Sequence, residues 1–369
     1  MPIKQFNQNS VFAHNQIETD IDRLMASYFK FSFCYLLQSR SILAVLVACI
    51  SFNIIYSLPA HAQLASDIYV GKLSFSSEKS LQNVSISELE RITDTETYTN
   101  QPYFFSDTHL YFTQADLADD PSSEKSTEQT DIFLYQFPVN STYDSISSYI
   151  NISNSKESEY SPTPLPQNKG MSVIRVNREG KQELWALNSE GGPLKHLAQT
   201  IEPVGYQVWL NNDELLLFVL GEPHTLQRVS ASNAKQVQVI DENIGASLFR
   251  FKNSEWFLYS KGSETLTLMA YNSVTRDTHK LISMPQGSQY FSVTPRGEVI
   301  TSNGKALFYI PLKEREGAAS TSLHAEDTWR FINVESYIEP NMKNGKCKSG
   351  ISRTAVSPSG KKIALVCPH

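Results

Sequence analysis

The sequence predicts an all-β fold, a six-bladed β-propeller whose N- and C-terminal strands share one blade. Three observations support this prediction. Short apolar or alternating runs bounded by turn residues recur along most of the chain, which is typical of β-strands. No segment keeps a helical hydrophobic period over a dozen positions, so amphipathic helices are not expected. Six polar turns, each between two strand-like runs, recur at a spacing that matches propeller blades.

Residues 1–62 differ from the rest of the chain and are predicted to be a secretory signal. An apolar run over 41–63 ends in the small-x-small sequence Ala-His-Ala. Such a run behind basic residues is typical of a signal peptide, here cleaved after Ala62. The basic segment has a conventional length if Met25 rather than Met1 is the start, so we expect an extended or mis-assigned N-terminus.

Two alternatives remain open for the same apolar run. It is marginally long enough to be an uncleaved membrane anchor. The sequence Leu-Val-Ala-Cys at 46–49 also fits a bacterial lipobox, which would make Cys49 a lipidated N-terminus. The residues after Cys49 stay apolar, however, where a polar tether is expected. Contact with a membrane is expected only if Cys49 is lipidated.

Removal of 1–62 leaves two cysteines, Cys347 and Cys367. An even pair in an exported chain favours a disulfide, and the loop of about 20 residues that it closes would stabilise the fold by about 3 kcal/mol. Two unpaired buried thiols are the alternative. No CxxC, HxH or HExxH pattern accompanies the cysteines, so neither a metal site nor a cofactor is expected.

Charge excludes one class of partner. The chain has 32 Lys and Arg against 38 Asp and Glu, a net charge of −6. Nucleic-acid binding needs a basic face that neutralises phosphates. A nucleic-acid partner is therefore not expected.

The six turns define the repeat. They lie at 106–107, 167–168, 211–212, 253–254, 295–297 and 358–360. The three middle steps are about 41 to 45 residues long, as in four-stranded propeller blades. The first step is lengthened by an insertion at 115–130 and the last by insertions at 313–328 and 341–350. Six hairpins predict six blades.

The last hairpin supplies only half a blade. Its strands are predicted at about 352–357 and 361–366, while two strand-like segments at 66–75 and 86–93 have no hairpin before them. A half blade would leave strand edges open to pairing with other chains. We therefore expect the two ends to complete one blade, which makes 63–369 a single domain.

Three stretches resemble the WD-like repeats of exported TolB-type β-propellers. They are "SPSGKKIALV" at 357–366 read together with "SDIYVGKL" and "ERIT" in 66–93, then 100–137, and 159–197. The usual turn of that family reads Ser-Pro-Asp-Gly. Here Ser359 stands in place of the Asp, and Pro and Gly are missing around Ser106 and Asn212.

The resemblance implies a location and a class of function. It implies a six-bladed ring in the periplasm or the secreted fraction of a Gram-negative bacterium, with an outer-membrane lipoprotein as the alternative. It also implies binding rather than catalysis, with an envelope protein, peptide or glycan as the partner and a monomer as the expected state. TolB itself has an additional N-terminal α/β domain, for which the predicted mature chain has no room.

Candidate ligand-binding residues lie in the loops that enter the innermost strands and join the second and third strands. These loops open on one face of a propeller, around its central channel. Glu159 and Tyr160 enter the second blade, Tyr206 enters the third, and Glu222 and His224 follow the second strand of the third blade. Together they could bind a sugar, a peptide or a cation. The alternative is that the tyrosines pack blade entrances and the charges are solvated.

Two functions from different classes follow. One is a non-catalytic binding module of the bacterial envelope. The other is a propeller enzyme, a lyase or hydrolase acting on polysaccharide or cell-wall material at the channel mouth, although the sequence has no GxSxG elbow and no phosphate-binding glycine loop. Catalysis needs acid and base groups near a common point. Convergence of Glu159, Glu222 and His224 on one pocket would therefore favour the enzyme.

Overall fold

The computed structural model describes residues 64–78, 81–116, 129–138, 149–233, 235–316, 321–334 and 347–369. The predictions for the signal segment 1–62, including the start at Met25, cleavage after Ala62 and lipidation of Cys49, lie outside these residues.

Strands account for nearly all the regular structure in the described part of the chain. The chain enters the fold through an antiparallel pair, β1 (Ser66–Glu78) and β2 (Leu81–Arg91). Five antiparallel sheets follow in chain order, and each is given from its innermost to its outermost strand. Blade 1 contains β3 (Thr99–Phe104), β4 (His109–Asp116), β5 (Gln129–Gln136) and β6 (Tyr149–Asn151). Blade 2 contains β7 (Ser158–Pro164), β8 (Met171–Val176), β9 (Gln182–Leu187) and β10 (Pro193–Leu197), with a 3-10 turn over Pro166–Asn168.

The next three blades continue the pattern. Blade 3 contains β11 (Val204–Trp209), β12 (Glu214–Val219), β13 (Thr225–Ser230) and β14 (Val237–Glu242). Blade 4 contains β15 (Ile244–Arg250), β16 (Trp256–Lys261), β17 (Thr267–Asn272) and β18 (Thr278–Ser283). Blade 5 contains β19 (Phe291–Val293), β20 (Glu298–Ser302), β21 (Leu307–Glu316) and β22 (Thr321–Ala325), and β23 (Arg330–Phe331) also pairs with β21. The short β24 (Asn333–Val334) pairs in parallel with β2.

Blade 6 is built from both ends of the described chain. Its inner strands are β25 (Arg353–Val356) and β26 (Lys362–Pro368), and its outer strands are β1 and β2. β26 pairs antiparallel with β1 from Ser66 opposite Pro368 to Lys72 opposite Lys362. The prediction of an all-β, six-bladed propeller is confirmed, and each of the six predicted turns lies between the innermost and second strand of its blade.

The apolar core consists of layers between neighbouring blades. The second strand of blade 3 shows why, because its side chains alternate between two layers. Leu215, Leu217 and Val219 pack with blade 2, whereas Leu216 and Phe218 pack with blade 4. All five are buried. A strand covered on both faces needs a nearly continuous apolar sequence, and "ELLLFV" in β12 meets that need.

The predicted disulfide is present. Cys347 and Cys367 are bonded, with their Cα atoms 4.8 Å apart, and both side chains are buried in the layer between blades 5 and 6. Cys367 also lies opposite Asp67 in the β1–β26 pairing. The bond therefore ties the segment before β25 to the strand that joins the two chain ends.

One predicted insertion has regular structure. Part of the segment 313–328 continues β21 and returns as β22, with Lys313 opposite His324. The segment was predicted as an insertion because it lengthens the last step of the repeat, and the antiparallel pairing of β21 with β22 extends the blade 5 ladder into it. Of the insertion at 115–130, most residues lie outside the described chain.

Candidate functional site

The innermost strands of all six blades line a central channel. Where these strands meet their hairpin turns, the channel widens into a cavity of about 540 Å³. We call this cavity the hairpin mouth; it is lined by 102–104, 163–164, 207–209, 248–250, 252–253, 292–295 and 355–358. Its walls carry the aromatic side chains of Tyr103, Trp209 and Phe249, and four prolines. Ligand sites commonly have this size and this mainly apolar lining.

A second, smaller space of about 70 Å³ lies deeper in the channel. We call it the inner chamber; it is lined by 101–103, 161–163, 206–207, 246–249, 290–291 and 353–354. It shares Tyr103, Gln207 and Phe249 with the hairpin mouth. The two spaces are therefore neighbouring parts of one channel.

Backbone irregularities occur in the innermost strands at the level of the inner chamber. The pairing register shifts within β3, β7, β11 and β15. Gln101 and Ser161 adopt left-handed φ values of 54° and 56°, which are unfavourable for residues other than glycine. At Gly205 in β11, a Cβ atom would lie 2.6 Å from the Phe218 ring, so glycine is needed there. Bulges of this kind redirect side chains and occur often beside functional sites.

Arg353 occupies the inner chamber. Its Nη2 donates a hydrogen bond of 2.9 Å to the phenol oxygen of Tyr206, and its guanidinium lies 3.8 Å from the ring centre of Tyr290. Gln101 Nε2 also donates to the Tyr206 oxygen, at 3.4 Å. The Gln101 side-chain oxygen accepts from the Ser161 amide at 2.9 Å. Five blades thus meet through one small polar network.

The charge of Arg353 is not neutralised by any carboxylate among the described residues. No Asp or Glu lines the inner chamber or the hairpin mouth, whereas Arg250 and Lys252 line the mouth. Burial disfavours ionisation of the phenols and raises the pKa of Tyr290. At Tyr206 burial acts the same way, but the charge and hydrogen bond of Arg353 prevail and lower the pKa. The channel is therefore a positive region in a chain of net negative charge.

Two of the five sequence-predicted site residues pack in blade 2. The Glu159 carboxylate is fully buried, pairs with Arg175 at 2.9 Å and accepts a hydrogen bond of 2.5 Å from Ser155. Burial raises the pKa of Glu159 to about 7. Tyr160 packs against the core between blades 2 and 3. Neither residue lines the hairpin mouth or the inner chamber.

The other three predicted residues belong to blade 3. Tyr206 lines the inner chamber, as described. Glu222 is exposed. The His224 ring lies 5.0 Å from the Phe218 ring, and its Nδ1 accepts a hydrogen bond from the Gly221 amide at 3.1 Å. Glu159, Glu222 and His224 do not line a common cavity among those described, and a ligand-binding role for the five residues stays a prediction.

The sequence analysis missed Arg353, Tyr290 and Gln101. A positional signal for them exists in the repeat, because Gln101, Tyr206, Tyr290 and Arg353 each stand five residues before the first residue of a predicted turn. Equivalent positions in a repeat face the same part of a propeller. Comparing the blades at that position would have selected these side chains together.

The described residues contain no group of three or more His, Cys, Asp or Glu side chains placed to hold a metal ion. Over the same ranges, no helix combines the length and the apolar character needed to cross a bilayer.

No family model matches this chain, and no curated protein matches it in sequence. Solved structures match it in fold. A protein assigned as TolB from Agrobacterium tumefaciens superposes with a TM-score of 0.53 at 10% identity, covering 83% of this chain and 99% of that one. TolB from Acinetobacter baumannii gives a TM-score of 0.45 at 11% identity, over 81% of this chain and 63% of that one. Oligogalacturonate lyase from Vibrio parahaemolyticus gives 0.44 at 10% identity, over 80% and 86%.

These likenesses concern the fold. The chain has the six-bladed propeller architecture of TolB-type structures. Because propellers with this architecture serve different functions, the function has to be argued from the channel.

Proposed function

We propose that this chain is an exported, non-catalytic binding protein of the bacterial envelope that holds a ligand in the hairpin mouth. The ligand is an envelope protein, a peptide or a glycan. The observation that carries the proposal is the hairpin mouth itself, a cavity of about 540 Å³ to which all six blades contribute. Its aromatic, valine and proline side chains offer contact area, and no carboxylate lines it.

Export and a monomeric state are parts of the same proposal. A disulfide between Cys347 and Cys367 is typical of proteins that fold outside the reducing cytosol. The pairing of β1 with β26 completes the sixth blade within one chain, so the ring needs no second copy. We expect a periplasmic or secreted monomer, or a lipoprotein if Cys49 is the mature N-terminus.

Site-specific photocrosslinking in intact cells tests the proposal. A photoreactive phenylalanine analogue replaces Phe249 in the hairpin mouth in one variant and Val239 in a second. Val239 lies on the outermost strand of blade 3 and is 52% exposed. We expect a discrete product, identified by mass spectrometry, from position 249 alone. Equal capture at both positions, or none at 249, would contradict the proposal.

The same sample tests the location. Mass spectrometry of the mature N-terminus gives Gln63 for ordinary cleavage and a lipid-modified Cys49 for a lipoprotein. An N-terminus at residue 1 or 25 in the cytosolic fraction would contradict export.

A propeller lyase acting on polysaccharide is the second candidate, and one observation favours it. The Tyr206 phenol accepts a hydrogen bond from Arg353, whose charge lowers the pKa of Tyr206 against the effect of burial, and a tyrosine in such a position can serve as a general base. The test is formation of unsaturated sugar product from a uronate polysaccharide, followed by ultraviolet absorbance. Activity that is lost in Tyr206→Phe would favour the enzyme, whereas its absence in the native protein would remove this candidate.

A further inference from the structure

The inner chamber contains a cation and several polar atoms that lack partners. Burial of a guanidinium without a counter-ion is costly, and the Tyr290 ring offsets only part of that cost through a cation–π contact. Arg353 Nε is buried and has no hydrogen-bond partner among the described residues, and the same holds for Ser161 Oγ and Gln207 Oε1. Ser161 and Gln207 are 7% and 5% exposed. Unsatisfied buried polar atoms are rare in native proteins, and a cluster of them beside a cavity calls for a partner such as a ligand, an ion or an ordered water.

The unpartnered atoms have a definite chemical character. Arg353 Nε and the Ser161 hydroxyl are donors, and Gln207 Oε1 is an acceptor. The Gln207 amide nitrogen is already used, since it donates to the Ser161 carbonyl at 3.0 Å and the Ser172 carbonyl at 3.1 Å. A complementary ligand therefore presents an anionic acceptor and, beside it, one donor. The C-terminal residue of a peptide has both, in its carboxylate and its backbone N–H.

The dimensions of the channel fit an extended ligand inserted end-on. The inner chamber is much smaller than the hairpin mouth, at about 70 Å³ against about 540 Å³, so it suits the terminal carboxylate of a ligand whose remainder lies in the mouth. From Arg353 to Val356, strand β25 rises about 10 Å towards the hairpin mouth. About three extended residues cover that distance. The mouth is mainly apolar, with Val208, Val293 and Val356 beside the aromatic rings, as apolar peptide side chains require.

We propose that Arg353 binds the C-terminal carboxylate of a peptide whose last residue lies in the inner chamber and whose preceding apolar residues lie in the hairpin mouth. Ser161 donates a second hydrogen bond to the carboxylate, and Gln207 accepts one from the peptide N–H. This inference rests on the proposed binding function and narrows its ligand class.

The test uses two matched probes and the purified full chain. The probes are acetyl-Val-Ala-Ala with a free carboxylate and the same tripeptide with a C-terminal amide. The readout is the Arg353 Nε–H signal in ¹H–¹⁵N spectra, assigned by its loss in Arg353→Gln. We expect the free acid to shift this signal to saturation. The amide should bind about ten- to hundredfold more weakly, because a charge-assisted hydrogen bond is lost.

Two variants separate the carboxylate contact from general binding. In Arg353→Gln, the free acid should bind no more tightly than the amide does. In the matched control Arg178→Gln, which alters an exposed arginine in the turn before β9, the free acid should still bind more tightly. If Arg353→Gln does not fold, Arg353→Lys, which keeps the charge and lacks the Nε–H group, assigns the signal, and the titration of the native protein decides.

Three results would overturn the inference. In the first, no probe moves the Arg353 signal at millimolar concentration. In the second, the peptide acid and the peptide amide bind with equal affinity. In the third, glucuronate shifts the Arg353 signal and reaches saturation at a lower concentration than the peptide acid does. Glucuronate binding would make the ligand a sugar acid. Equal acid and amide binding with shifts confined to the hairpin mouth would leave the proposed function intact, whereas failure of capture from position 249 would remove that function.

Discussion

The second and innermost strands of each blade differ in what surrounds them. Second strands such as β12 and β26 have strands on both edges and neighbouring blades on both faces. Innermost strands such as β11 and β25 have the channel on one side. Second strands are accordingly apolar, "ELLLFV" in β12, and innermost strands are mixed, "VGYQVW" in β11.

The comparison separates stability from recognition. A side chain between two blades is constrained by close packing on every side. A side chain that faces the channel is packed on fewer sides, so a charged residue or a strained backbone is tolerated there. Arg353 and the left-handed residues Gln101 and Ser161 belong to this second group.

The largest expected effect is aggregation, which should follow when the second strand β26 becomes the edge of its sheet. Deleting residues 66–93 removes β1 and β2 and leaves the outer edge of β26 without its partner. Exposed apolar edges pair with other chains, so we expect an aggregating protein in size-exclusion chromatography. A soluble monomer that melts cooperatively would show that blade 6 does not depend on the N-terminal strands.

The next effect compares one residue from each kind of strand. Leu217 in β12 is fully buried, and Leu217→Ala should lower the free energy of unfolding by about 2–5 kcal/mol. Thr163 lies in β7 at the hairpin mouth, where its hydroxyl donates to the Ser161 carbonyl at 3.3 Å, and Thr163→Ala should lower it by about 1 kcal/mol. Denaturant unfolding of both variants gives the values, and equal losses would refute the distinction.

The disulfide should contribute slightly less to the free energy of unfolding than the buried Leu217 side chain does. The bond closes a loop with a sequence separation of 20, so replacing both Cys347 and Cys367 by Ala should lower the free energy of unfolding by about 3 kcal/mol. A reducing agent should have a comparable effect on the native protein and none on the double variant. Equal stability of oxidised and reduced native protein would contradict this expectation.

The smallest effect concerns Glu159, an innermost-strand residue that is buried like a core residue. Burial raises its pKa from 4.5 to about 7, with Arg175 and Asp131 as charged neighbours. Between these pH values the folded state binds more protons than the unfolded state, so the stability falls as the pH rises. This contribution is at most about 3 kcal/mol. Glu159→Gln should flatten the decline between pH 4.5 and 7 in denaturant titrations, and an unchanged slope would assign it to other groups.

The parts of the fold that sequence reasoning predicted are those with a local or periodic signal. Turn chemistry located all six hairpins, and apolar runs located the second strands because burial on both faces leaves little choice of residue. The shared blade followed from a count of strands at the two chain ends. The Cys347–Cys367 bond followed from the pair of cysteines that remains after the predicted signal segment, in a chain expected to be exported.

The channel was harder to predict because its residues meet from several blades. Arg353 and Tyr290 are 63 positions apart in sequence, and nothing beside either residue marks the contact. General propeller geometry directed attention to the loops that enter the innermost strands and to those that join the second and third strands. These loops selected Tyr206 together with the exposed Glu222 and the packed His224. Nothing in the sequence around Glu159 distinguishes a glutamate that is buried in an ion pair with Arg175 from a glutamate that is exposed to solvent.

The most direct test of the account asks whether innermost-strand residues hold the ligand. Crosslinking from position 249 is compared in intact cells between two backgrounds, Arg353→Gln and Glu222→Gln. The account predicts that Arg353→Gln lowers the yield of the captured product, whereas Glu222→Gln leaves it unchanged. A yield that survives loss of Arg353 and falls with loss of Glu222 would place the ligand at the loop between β12 and β13 and contradict the account.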